Sequence, residues 1–287
     1  MKGRTLAAPF LLGVLVLVAL PALAAVAISF TEYSGIGPPR FAGAENFTRM
    51  LGDEALWRSL GNTLIYLAMS LPLRIVLIFA LASLLHRRFR GSSASRAAVY
   101  LPSVVPDAAY SLLWLWILNP IYGPAAAILG SLNPDWLTDP WSARAAIAIM
   151  GVFQLGEGFV VALAARRSIP GHIYEAAQLD GASAWFTMKR LTLPIMAPIL
   201  AVLALRDLLL SFQANFVPAL LLTDGGPRNA TTYLPVFAYR QAFRYFRLGY
   251  ASAISVTMLL VTAAVLLIQF RVWRRWRAKN LGGTGWI

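Results

Sequence analysis

The chain has 287 residues, 59% hydrophobic and only 13% charged, against roughly 25% charged in ordinary soluble domains. The apolar residues gather into long blocks, which excludes a soluble core. The formal net charge is +13, but the cations sit between the blocks rather than in one patch, so nucleic-acid binding is not needed to explain them.

Crossing a hydrocarbon layer of about 30 Å takes roughly 20 apolar helical residues, and six blocks of that kind follow one another along the chain. The first, 6–30, is uncharged and preceded by Lys2 and Arg4. It is longer than the roughly 7–15 residues of a secretory h-region, which argues against a cleaved signal peptide. Residues 31–58, with Gly35, Gly37, Pro38 and Pro39, read as a loop. The second block, 60–85, holds Arg74 as its one charge, and a short basic turn, 86–96, leads to the third, 97–118, whose one charge is Asp107. A Pro- and Gly-rich loop over 119–141 precedes the fourth block, 145–165, which carries Glu157. Residues 166–194 form the longest connection between blocks on that side and the one with a helix-like pattern. The fifth block, 195–222, contains the adjacent pair Arg206 and Asp207, and the sixth, 248–270, is uncharged.

Each block is about twice a barrel strand's length and lacks apolar/polar alternation, so helices are predicted rather than barrel strands. The fold class expected is all-α integral membrane: one domain over 1–287, six transmembrane helices, and a further helix in the 166–194 connection. No internal repeat of 20–50 residues interrupts that reading.

About fifteen of the 25 Lys and Arg fall in one alternating set of segments, from Lys2 and Arg4 through Arg87, Arg88, Arg90 and Arg96 to Arg166, Arg167, Lys189, Arg190 and the 271–279 cluster. The opposite loops hold seven. The positive-inside rule then puts both termini, and 166–194, in the cytoplasm. Membrane lipid is one expected partner, and 166–194 is where a soluble partner would grip.

Catalytic machinery is missing from the pattern. There is no G-x-x-x-x-G-K-[ST] phosphate loop, no H-E-x-x-H and no G-x-S-x-G turn. The absence of cysteine removes thiolate ligands, and His86 and His172 lack metal-ligand spacing. No catalytic, cofactor or metal site is expected, and any ATP must be bound by another chain.

The informative stretch is 169–194. Pro170 permits a helix start and Glu175 suits an early turn. Ala176 and Ala177 offer a small-residue surface to a partner, Gly181 after Asp180 breaks the helix, and Leu193-Pro194 is expected to end the segment. Glu175-Ala176-Ala177, then Gly181, then Leu193-Pro194 resembles the cytoplasmic coupling motif of the permease subunits of bacterial ATP-binding-cassette importers. Ile169-Pro170 and Asp180-Gly181-Ala182 narrow the likeness to the carbohydrate-uptake branch of maltose and glycerol-phosphate type. Further blocks follow in the same order, including Phe41 to Phe47, Asn62-Thr63, Leu101-Pro102 and Leu222 to Pro227, so the resemblance covers nearly the whole chain. Ala44 and Asp224 depart from it without touching the mechanism.

The resemblance implies half of a translocation pathway in a bacterial or archaeal plasma membrane. It implies a second homologous permease, two ATPase subunits carrying ATP and Mg, and an extracytoplasmic binding protein that delivers a sugar or sugar-like solute. The competing reading is an ion-coupled secondary transporter, which midplane charges would also suit but for which inverted repeats are lacking.

Arg74, Asp107, Glu157, Arg206 and Asp207 are expected near the middle of their spans, where an unpaired charge costs at least roughly 2.5–3.5 kcal/mol. With Tyr110, Gln213 and Asn215 they form either a polar path for the solute or interhelical pairs that hold the bundle. Trp114 either offers an aromatic face to that path or, like Trp116 near the outer end of the same block, anchors the helix at the interface, the reading preferred for both. Arg240, Arg244 and Arg247 predict a short interfacial helix, facing lipid headgroups, an acidic protein or an anionic substrate.

Overall fold

The computed structural model describes residues 2–281. In chain order the helices are α1 (Lys2–Val14), α2 (Leu20–Ser29), α3 (Glu45–Gly52), α4 (Glu54–Leu85), α5 (Ser92–Tyr100), α6 (Asp107–Ile117), α7 (Pro124–Leu129), α8 (Pro140–Phe153), α9 (Gly156–Ser168), α10 (Gly171–Leu179), α11 (Ala184–Thr187), α12 (Leu193–Ala214), α13 (Phe216–Leu222), α14 (Leu234–Phe243) and α15 (Leu248–Leu281). Two short strands, β1 (Thr31–Glu32) and β2 (Arg40–Phe41), pair antiparallel with Thr31 opposite Phe41.

Wide π turns join α1 to α2 over Leu15–Ala19 and α11 to α12 over Met188–Thr192. Both stand before a Leu-Pro pair. A proline ring clashes with the carbonyl four residues back and cannot donate to it, and the wider turn relieves that clash. The preceding leucine N–H reaches five residues back, Leu20 to the Leu15 carbonyl and Leu193 to the Met188 carbonyl. Leu193-Pro194 therefore does not end the segment, contrary to expectation, because the helix runs on through it into α12.

Four described helices are individually long and apolar enough to cross a membrane: Ala8–Ser29, Glu54–Leu85, Ala184–Phe212 and Leu248–Arg271. A fifth crossing arises if α8 and α9, bent by 44° at their junction, count as one. The expected third span, 97–118, is divided. Pro102 falls in a 3-10 turn over Leu101–Ser103, and Pro106 stands immediately before α6, since a residue preceding proline is steered away from helical backbone.

Packing gathers the chain into two compact units, residues 1–58 with 234–287, and residues 59–233. In the first, α2 and α14 pack on α15. Asn46 Nδ2 donates to the Ser29 and Thr31 carbonyls at 2.9 and 2.8 Å, and the Tyr250 hydroxyl donates to Asp53 Oδ2 at 2.6 Å. The stretch expected as a short interfacial helix is a helix, and it packs on α15. α14 buries Leu234, Val236, Phe237, Ala238 and Gln241, carries Arg240 in its last turn, and leaves Arg244 and Arg247 exposed in the link to α15.

In the second unit Ile78, Phe159, Ala162 and Met196 centre a core built from α4, α9 and α12. Where α9 begins, a Cβ on Gly156 would lie 2.6 Å from Ser103 Oγ and 2.9 Å from Tyr100 Cα. Only a residue without a side chain permits that approach, and the Gly156 N–H uses it to donate to Ser103 Oγ at 2.9 Å.

Candidate functional site

The five charged residues singled out within the apolar blocks come together, but not as isolated midspan charges. Arg74, in α4, places Nε 3.4 Å from Asp207 Oδ2 on α12. That contact is an ion pair without a hydrogen bond; Asp207 is 1% exposed and accepts from Arg206 Nη1 at 3.4 Å, while Arg206 Nη2 pairs with Glu157 Oε2. Arg74 Nη2 further donates to the Gln154 carbonyl at 3.1 Å, and Gln154 Nε2 donates to Asp107 Oδ1 at 3.4 Å. One connected chain thus runs Asp107, Gln154, Arg74, Asp207, Arg206, Glu157.

Two placements correct the expectation. Asp107 lies in the first turn of α6 and Glu157 in the first turn of α9, so both sit at helix starts created by chain breaks rather than in the middle of a continuous span. Gln154, which sequence reasoning passed over because it is uncharged, is the hinge residue between α8 and α9 and the link that carries the chain to Asp107. Its polarity beside Leu155-Gly156 was the available signal.

Tyr110 makes an interhelical bond. It is 4% exposed, and its hydroxyl donates to the Met150 carbonyl at 3.1 Å. Met150 and Gln154 are among the carbonyls at the end of α8 that have no following turn to accept from, so Tyr110 and Arg74 together cap that end. Trp114 is no isolated anchor, since its ring packs 6.2 Å from Tyr110 and 5.5 Å from Phe153; Trp116 is half-exposed. Asn215 occupies the break between α12 and α13, 1% exposed, with neither side-chain polar atom hydrogen-bonded. The side chain of Gln213 lies outside the described residues. Chemically, this face offers carboxylate acceptors and guanidinium donors side by side, suited to hydroxyl groups. Among the described residues no group of three or more His, Asp or Glu could hold a metal.

The second candidate is the connection 166–194. Pro170 precedes α10, which ends in a full left-handed closure: Gly181 adopts φ +73°, its N–H bonds to the Gln178 carbonyl at 3.0 Å, and the Ala182 N–H bonds to the Ala177 carbonyl at 2.9 Å. This is the backbone that glycine supplies without strain. Ser183 Oγ then accepts from the Phe186 N–H at 3.2 Å and starts α11.

Tyr174 pins the helix turn back onto the rest of the unit, through a hydroxyl contact with Thr192 Oγ1 at 3.1 Å and a ring 4.5 Å from the Arg166 guanidinium. Ala177 is buried, so of the alanine pair only Ala176 faces out, a correction to the expected small-residue surface. The outward side shows Glu175, Ala176, Asp180, Gly181 and three large apolar groups, Leu179 at 90%, Trp185 at 71% and Phe186 at 52% exposure. Leu193 and Pro194 lie exposed on the helix beyond.

Residues 54–278 match the family described as binding-protein-dependent transport system inner membrane component. The chain is 31% identical over 284 residues to the probable ABC transporter permease protein YesP of Bacillus subtilis, covering 96% of this chain and 91% of that protein. It is 33% identical to the trehalose/maltose transport system permease protein MalF of Thermococcus litoralis, over 95% of this chain and 93% of the other. Among solved structures, a chain of a bacterial ABC transporter involved in import of the acidic polysaccharide alginate superposes with a TM-score of 0.80 at 25% identity, covering 95% and 94% of the two chains.

Proposed function

This chain belongs to the family of binding-protein-dependent transport system inner membrane components, the multi-pass permeases of ATP-binding-cassette transporters, and we propose that it forms half of an import pathway for a sugar. Family membership sets aside the ion-coupled alternative. The proposed solute class follows the trehalose/maltose relative and the mixed donor and acceptor chain around Arg74 and Asp207. Asp107 and Glu157 are exposed on the isolated chain, and exposed charge facing lipid is costly. That face is assigned to the pathway shared with a second permease.

The carrying observation is the helical turn of 170–192, pinned from behind by Tyr174 and Ala177 and presenting Glu175, Ala176, Leu179 and Trp185 outward. A packed knob with an apolar outer side suits a cleft on another protein. It is read as the contact with one of two ATPase subunits, which carry ATP and Mg. Closure of the ATPase pair draws the knob inward, and α12, continuous with α11 through the π turn, transmits the displacement to Arg206 and Asp207.

Six crossings complete this reading, the third made of the two pieces 92–103 and 107–117, with both termini and the knob in the cytoplasm and a binding protein docking opposite. The test is purification from native membranes in mild detergent. Stoichiometric recovery of an ATPase and a second permease, with ATP hydrolysis stimulated by sugar-loaded binding protein, supports the proposal. Recovery of the chain alone and intact overturns it.

A further inference from the structure

Behind the knob, a cavity of about 660 Å³ opens between the end of α4, the end of α9 and the α10–α12 segment. Its wall is one-sided in charge: His86, Arg87, Arg166 and Arg167 line it, and no Asp or Glu is among the lining residues. The positive-inside rule explains arginines at this membrane face, but as solvated, exposed side chains. Arg166 is different, since it is only 8% exposed. Its Nε has no hydrogen-bond partner, and neither does the buried Oγ of Ser83 across the same cavity.

The Arg166 guanidinium carbon lies 4.5 Å from the centre of the Tyr174 ring, a contact that holds the fork beside the cavity without pairing it. Gly171, the first residue of α10, reaches the cavity as well, and Pro170 before it provides no side-chain cap. A helix start adds N–H groups and the positive end of its dipole. His86 Nδ1 donates to the Ser83 carbonyl at 2.6 Å, and burial, then the nearby arginines, hold its imidazole below the usual range.

We infer that this cavity binds a phosphate group, received by the Arg166 fork, the Ser83 hydroxyl and the start of α10. The combination of a planar guanidinium, a hydroxyl and a helix N-terminus matches an oxyanion with several acceptor oxygens. The phosphate comes either from the headgroup of an anionic lipid or from a soluble phosphate compound. The cavity walls belong to both the pinned turn and the ends of α4 and α9, so a bound phosphate ties them together. On the coupling reading above, that would set how freely the knob moves.

The test uses the importer as purified with its partners, or the chain alone if it has none, without ATP or transport as a readout. Inorganic phosphate and pyrophosphate are titrated calorimetrically in neutral phosphatidylcholine nanodiscs, and retention of phosphatidylglycerol against phosphatidylcholine is read by native mass spectrometry. We expect binding in one arm, weakened about tenfold or more in Arg166→Gln, in keeping with loss of a charge-assisted hydrogen bond, and several-fold in Ser83→Ala. Retained phosphatidylglycerol identifies a lipid source; binding of the free anions identifies a soluble one. Binding in neither arm, or binding that both variants leave unchanged, overturns the inference. Ser83→Ala removes a single hydroxyl and keeps the test readable should Arg166→Gln fail to assemble. Because coupling is not measured, failure here leaves the importer reading standing, and the reverse holds too.

Discussion

Replacing Asp207 with leucine should destabilise the protein severely, and replacing Arg74 with leucine as well should restore most of the loss. Asp207 is 1% exposed and Arg74's side chain 12%, with 3.4 Å between Nε and Oδ2. At that separation and an effective dielectric of about 20, the gross attraction is about 5 kcal/mol, much of it offset by desolvation. Removing one partner leaves the other charge buried, which costs about 3–5 kcal/mol. Arg74 then keeps the Gln154 carbonyl, too little to balance a guanidinium. In the double variant the residual loss is that cap, about 1 kcal/mol, while Arg206 retains Glu157 at the more exposed end. The assay is the temperature at which detergent-solubilised protein leaves the monodisperse peak on size exclusion, compared across wild type, both single variants and the double. Unfolding of such proteins is commonly irreversible, so rank order is the readout. A stable Asp207→Leu variant, or a double variant as poor as the summed singles, would refute the argument. Uptake measured on the restored double variant separates the two roles left open by sequence: normal uptake assigns the pair to holding the bundle, lost uptake to the solute path.

Gly181→Val should insert normally yet lose uptake, because a β-branched residue at φ +73° is strained by roughly 1–2 kcal/mol or more and re-aims Asp180 and Ala182. Gly181→Asn, which tolerates that backbone better, should retain a larger part of the uptake, and normal transport by Gly181→Val would count against the coupling role. Gly156→Leu is expected to lower the thermal midpoint by the equivalent of about 1–3 kcal/mol. The obstructing atoms include the Tyr100 backbone, 2.9 Å away, which cannot rotate aside; a variant as stable as wild type would show that α5 and α9 are not so closely apposed.

Long-range features were legible where composition alone decides them. Uncharged runs such as 6–30 and 248–270 mark helices because they are about twice a barrel strand's length and lack apolar/polar alternation, and Gly181 after Asp180 marked the end of α10. What hydropathy did not reveal were the interruptions. An average over about 20 residues is indifferent to whether Pro102 and Pro106 divide the run, or whether Gln154 and Asn215 sit at breaks. Leu193-Pro194 misled in the other direction, since proline ordinarily ends a helix, and nothing in the pair announces that a π turn will carry the helix through it. Ala177 was read as a contact surface because small residues suit close approach, and that approach is used inward, against the chain's own helices.

The breaks and the charges belong to one arrangement. A break in a membrane helix bares carbonyls and N–H groups that lipid cannot satisfy, and a charge within the membrane is costly unless something pairs with it. Here each answers the other. The end of α8 presents its negative dipole end, and Arg74 and Tyr110 donate to its last carbonyls. The starts of α6 and α9 present positive ends, and Asp107 and Glu157 stand in their first turns. The chain holds three carboxylates against two guanidiniums, and the helix starts supply the missing positive potential. Irregular backbone at membrane depth is tolerated where it is buried in protein or lines a water-filled cavity, and on the proposed importer reading the exposed flank of this chain, from Asp107 to Glu157 and Arg206, is the surface offered to a hydrated, hydroxyl-rich solute, which would exchange hydrogen bonds with the protein without either partner entering lipid.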